Sequence, residues 1–67
     1  MKLKDILRLI PGSQRVSIIT DEEIIYDGWE LLNAWSHLEK KEEEYLEYCV
    51  VRIETFQDKL QIKIVKY

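Results

Sequence analysis

A single cysteine, Cys49, in a chain of 67 residues is the feature that most narrows what this sequence can fold into. One cysteine allows no disulfide within the chain, whereas secreted domains of this size usually carry several. Stability must therefore come from a hydrophobic core, and a hydrophobic fraction of 46% suffices for one core and not for two. The sequence predicts a single domain, residues 1–67, in the reducing cytoplasm.

Charge is distributed unevenly along the chain. Residues 1–20 carry a net charge of +3, residues 21–47 carry −8 and residues 48–67 carry +2, for a total of −3. The overall negative charge makes nucleic acid an unlikely partner. Apolar stretches are short, and Arg8 interrupts the first, so we expect no signal peptide, no membrane span and no membrane partner.

Hydrophobic spacing predicts two helices. Apolar residues recur at intervals of three and four from Leu3 to Ile10, and again from Leu31 to Leu38. Asp27 and Glu30 have the spacing of a capping box, which predicts that the second helix begins near Trp29. The pattern leaves the C-terminal end of that helix open.

Two hairpins are predicted from runs of β-branched and alternating residues. The first joins residues 15–20 to 24–26, and the second joins residues 48–53 to 60–65. The resulting order, α-β-β-α-β-β, predicts an α+β fold of two layers. We expect a four-stranded antiparallel sheet with both helices on one face, in a strand order that the sequence leaves open.

The predicted core collects the residues that share these apolar phases. They are Leu3, Ile6, Leu7, Ile10, Val16, Ile18, Leu31, Trp35, Leu38, Val51, Ile53, Leu60, Ile62 and Ile64. Cys49 alternates in phase with Val51 and Ile53, so its thiol is expected to be buried and protected from thiol reagents.

Groups that could carry catalysis are isolated in this sequence. His37 is the one histidine, and Cys49 has no second cysteine for a redox pair. The acidic runs at residues 21–23 and 42–44 lack the alternate spacing of a calcium loop, and neither glycine begins a phosphate-binding motif. We therefore expect no enzyme, no metal site and no other cofactor.

The sheet face turned away from the helices is the predicted interaction surface. It comprises Arg15, Ile19, Tyr48, Val50, Arg52, Lys63, Val65 and Tyr67. This mixture of cations, tyrosines and aliphatic side chains favours a protein partner, including a second copy in a homodimer. It is also typical of small nucleic-acid-binding or regulatory proteins, and of a solvated face whose cations pair with acids. Trp29 and Leu32 form a possible second spot.

The N-terminal half carries a resemblance. The run Met1–Leu7, Pro11-Gly12 before a strand, and Ile25–Gly28 resemble short uncharacterised proteins of phages, prophages and mobile elements of Gram-positive bacteria. The resemblance also covers the C-terminal hairpin. The sequence differs from these proteins at Trp29 and at the acidic end of the second predicted helix. The resemblance implies the same order of elements and a mobile-element origin, and it implies no site residue.

Overall fold

The computed structural model describes residues 1–66, which form two α-helices and four strands. In chain order these are α1 (Leu3–Leu7), β1 (Arg15–Ile19), β2 (Ile24–Glu30), α2 (Leu31–Lys41), β3 (Cys49–Phe56) and β4 (Lys59–Val65), with a short 3-10 helix, Glu43–Glu47, before β3. The fold is α+β, as predicted. Tyr67, one of the predicted interaction residues, lies outside the described residues.

The sheet is mixed, and the prediction of a purely antiparallel sheet is wrong. Its strand order is β2-β1-β4-β3, and the central strands β1 and β4 run parallel, from Arg15 opposite Lys59 to Ile19 opposite Lys63. The reason is α2, which is roughly 16 Å long at 1.5 Å per residue, about the length of a five-residue strand. The helix carries the chain back along the sheet, so the second hairpin starts at the opposite end of the sheet from the first, and its second strand, β4, runs in the same direction as β1.

The core lies between the helices and one face of the sheet, and ten hydrophobic residues among residues 1–66 are buried there. Eight of them were predicted: Leu3, Leu7, Val16, Ile18, Leu31, Leu38, Ile62 and Ile64. Tyr26 and Ala34 complete the set. Four further predicted residues are half-buried and pack against this core, namely Ile6, Ile10, Trp35 and Leu60.

A bulge in β3 makes the predicted phase wrong for the part of the strand that precedes it. Val50 pairs with Ile64 and Arg52 pairs with Lys63, so Val51 is an extra residue with no partner of its own in β4. A bulge of this kind breaks the period-two alternation on which the sequence pattern depends. Val50 and Cys49, which precede Val51, consequently occupy the opposite faces from those predicted, whereas Arg52 and Ile53 keep their predicted faces.

Val51 and Ile53 were predicted to be core residues, and both are exposed, by 52% and 44%. Ile53 does lie on the helix side of the sheet, directly opposite the buried Ile62. It stays exposed because β3 is an edge strand, with a neighbour on one side only.

The second helix begins at Leu31 rather than near Trp29, because β2 continues through Asp27 and Gly28. Gly28 has φ of 76°, a left-handed conformation that glycine adopts without strain, and it forms a bulge opposite Ser17. The Asp27 carboxylate does not cap the helix. It accepts a hydrogen bond from the Ser17 hydroxyl at 3.0 Å instead.

The helices of residues 1–66 are too short to cross a membrane. The first ends at Leu7, one turn earlier than its apolar stripe, and α2 ends at Lys41.

Candidate interaction surfaces

The sheet face opposite the helices, here called the outer face, holds five of the predicted interaction residues. They are Arg15, Ile19, Arg52, Lys63 and Val65, whose register alternates with that of the buried side chains. Ser17 also belongs to this register, yet it is buried. Its hydroxyl donates to Asp27 and accepts the Gly28 N–H at 3.1 Å, so two bulge residues of β2 cover it.

Each cation of the outer face has a partner within the chain. The contacts are Arg15 Nη1 to the Gly28 carbonyl oxygen at 2.7 Å, Lys59 to Asp27 at 2.9 Å, Lys63 to Asp21 at 2.6 Å and Arg52 to Glu54 at 3.7 Å. The Lys59 ammonium, followed by the Ser17 hydroxyl, holds the pKa of Asp27 below its ordinary value. Paired cations offer less net positive potential to a phosphate backbone.

Tyr48 and Val50 do not lie on the outer face as predicted. Both are half-buried and pack against the core, because Val50 comes before the bulge and sits opposite the buried Ile64. Cys49 takes the other phase, opposite Val65, and is half-buried rather than buried. The prediction of a core thiol is therefore wrong in its phase.

The predicted second spot divides into two different environments. Trp29 is 39% exposed and belongs to an aromatic cluster, with ring centroids 4.7 Å from Tyr26 and 5.5 Å from His37. Leu32 is 68% exposed. A Cβ atom at position 12 would lie 2.7 Å from the Leu32 Cγ. The absence of a side chain on Gly12 therefore leaves space for the leucine side chain.

A polar network beside this cluster was not predicted. The Tyr26 hydroxyl lies 2.8 Å from His37 Nδ1 and donates to Glu42 Oε1 at 3.1 Å. Burial, and then the hydrogen bond to Glu42, raise the pKa of Tyr26, so its phenol stays protonated at neutral pH. These hydrogen bonds connect β2 to the end of α2, so the role of the network is structural.

The exposed edge of β3, residues Val51–Phe56, is the least covered part of the sheet and is here called the β3 edge. Phe56 is 57% exposed there, in addition to the exposed Val51 and Ile53. Only the start of β3 is covered, where Val50 N–H donates to the Met1 carbonyl oxygen. Within residues 1–66, the β3 edge makes no backbone hydrogen bond apart from those of the strand ladder.

The other edge strand, β2, is shaped differently. It has two bulges against β1, one opposite Ser17 and one between Tyr26 and Ile24. Bulges twist an edge strand and interrupt its repeat, which discourages pairing with another strand. Sequence reasoning missed the β3 edge because the alternation placed Val51 and Ile53 in the core. The signal available was the apolar Phe56 immediately before a turn.

Among residues 1–66, no group of three or more histidine, cysteine and acidic side chains is arranged to hold a metal ion. Comparisons of the chain with models of protein families, with curated proteins and with solved structures find no match.

Proposed function

We propose that this domain is a non-enzymatic protein-interaction module whose partner adds a strand to the β3 edge. The observation that carries the proposal is an edge strand that is regular from Arg52 to Phe56 and exposes large apolar side chains. Strand addition uses unpaired backbone groups for affinity and alternate side chains for specificity.

The β3 edge is favoured over the outer face on physical grounds. Burying the outer face would desolvate ion pairs such as Lys63–Asp21, and that desolvation offsets much of the gain from contact. Burying Val51, Ile53 and Phe56 removes apolar surface from water, which stabilises a complex by about 25 cal/mol per Å² before the costs of association.

We further propose that the module works in the cytoplasm and derives from a phage or mobile element. A lone, half-buried Cys49 supports the first statement, since it can form no disulfide within the chain. The run Met1–Leu7 and the residues Ile25–Gly28 support the second through their resemblance to such proteins.

Affinity capture from the source organism with the wild-type chain and the Ile53→Lys variant tests the proposed surface. Lysine on an edge strand opposes strand addition, and Ile53 is exposed enough for the domain to stay folded. We expect the variant to lose the captured protein, as read by mass spectrometry of the eluate.

Leu32→Lys is the matched control, because Leu32 is an exposed leucine on the predicted second spot. It should retain the captured protein. Loss of capture with Leu32→Lys and retention with Ile53→Lys would contradict the proposal and move the interface to the second spot.

A further inference from the structure

We propose that the strand added at the β3 edge is that of a second copy of this chain, paired antiparallel about a two-fold axis at Ile53. This inference rests on the proposed function, since it names the partner of the same edge. The pairing joins two four-stranded sheets into one continuous sheet across the dimer.

The turn after β3 determines which backbone groups are free. Gln57 and Asp58 form a two-residue turn, so the flanking residues Phe56 and Lys59 face each other as a hydrogen-bonded pair. In an antiparallel ladder the backbone groups of alternate residues point away from the neighbour. Counting back from Phe56, the N–H and C=O groups of residues 55 and 53 point outward.

The start of β3 gives the same result from the opposite direction. Val50 N–H points outward, because it donates to the Met1 carbonyl oxygen at 2.8 Å. The extra residue at Val51 shifts the alternation by one, which makes Ile53 the next outward residue. Met1 occupies the edge at Val50, so a second strand can pair only with residues 51–55 and the turn end of β3.

Several registers place the outward-pointing backbone groups of the two copies opposite each other, and the side-chain charges favour one of these registers. An axis at Ile53 places Arg52 of each copy opposite Glu54 of the other, on the outer face. An axis at Glu54 would oppose two carboxylates, and an axis at Thr55 would set each Glu54 opposite Phe56. The Ile53 axis also brings the two Ile53 side chains together on the helix side, where each extends its own core.

The intrachain pair does not prevent this exchange. Arg52 and Glu54 lie 3.7 Å apart, and both side chains are more than half exposed, so their contact within one chain is weak. In the dimer each charge gains a partner directly across the two strands, at the distance of a cross-strand pair. A single strand edge gives a small interface, so the dimer belongs to the weak class and needs high protein concentration.

The test uses charge reversal at the two positions. Arg52→Glu alone places an acid at both positions 52 and 54 of each chain, and Glu54→Arg alone places a cation at both. Either homodimer would then have like charges opposite each other. Both variants should dissociate about tenfold more readily than wild type, or more. An equimolar mixture restores opposite charges at both positions and should dimerise, as should the double variant.

Sedimentation equilibrium at about 1 mM protein measures these masses, which suits a dissociation constant in the micromolar to millimolar range. Circular dichroism checks that each variant is folded. Wild type at the 8.1 kDa monomer mass, or a mixture that stays monomeric while wild type dimerises, overturns the inference. Dimers of undiminished affinity in both single variants also overturn it.

Two outcomes distinguish failure of the dimer inference from failure of the proposed function. A monomeric wild type that captures a different protein, with capture lost in Ile53→Lys, refutes the second copy and supports the β3 edge as an interface. A dimer that neither Ile53→Lys nor the charge reversals weaken contradicts both, because it forms through another surface.

Discussion

At the residue scale, Gln57 combines a left-handed backbone with a side chain that disfavours it. Its φ is 62°, at the first position of the two-residue turn between β3 and β4, where glycine is the preferred residue. The sequence offers no Asn-Gly or Asp-Gly pair there, so the turn was predicted from its flanking strands alone.

Gln57→Gly should raise the free energy of unfolding by about 0.5–1 kcal/mol, because glycine relieves the left-handed strain at some cost in unfolded-state entropy. Urea denaturation measures the change. Asp58→Gly is the matched control, since Asp58 has no positive φ and the substitution should bring no gain. Equal gains from both variants would show that backbone strain at Gln57 is not the cause.

Ser17 shows a limit of sequence reasoning for single residues. Its alternation with the buried Val16 and Ile18 places it on the outer face, but its burial depends on Asp27 and Gly28, which a bulge brings over it. The Asp27–Glu30 spacing was interpreted as a helix cap because it fits that motif as well as it fits a bulge. Local spacing does not distinguish the two, whereas the pairing of β2 with β1 does.

At the element scale, α1 is held to the 3-10 helix by one carboxylate. Glu47 accepts from Lys2 at 2.7 Å and contacts Lys4 at 2.8 Å. These hydrogen bonds, Lys2 first and Lys4 second, lower the pKa of Glu47 to about 2. An isolated helix as short as α1 is unstable, so such attachments define its position.

Stability should depend on pH through Glu47. Its pKa is lowered by folding, so its contribution is fully present above the ordinary value of 4.5 and is lost as the pH falls toward 2. Glu47→Gln should therefore flatten the decline in melting temperature between these values. The exposed Glu44→Gln is the control and should keep the wild-type slope. Parallel slopes in wild type and Glu47→Gln would contradict the expected linkage.

The elements were predictable in type and order, and less so in register. Periodicity of three to four and of two found the helices and all four strands, and it gave most of the core. The bulge at Val51 could not be predicted, since the consecutive apolar residues Cys49, Val50 and Val51 fit either phase of the strand. A bulge is set by pairing with β4 and not by the strand itself. The sequence also left the strand order open, so the exposed β3 edge, on which the proposed function rests, was not foreseen.

At the scale of the whole molecule, one small core supports the entire fold, so a single buried truncation should remove much of its stability. Ile62→Ala in β4 should cost about 2–5 kcal/mol, since Ile62 is fully buried. Ile53→Ala is the matched control, because Ile53 is the same residue type directly opposite Ile62 and is 44% exposed. It should cost much less in the same calorimetric measurement. Equal costs would place both residues in the core and contradict the exposure of Ile53 at the β3 edge.

The parallel pairing of β1 with β4 has a consequence for how the chain folds. The two strands meet at Arg15 and Lys59, which are separated by 44 residues of chain, so the centre of the sheet closes through a long loop. Each hairpin is a local structure that is only marginally stable alone. We therefore expect closure of the central pair to be the step that commits the chain to its native topology. We also expect folding to be slower than in a helical bundle of equal length, because contacts distant in sequence must form before the core can stabilise the chain.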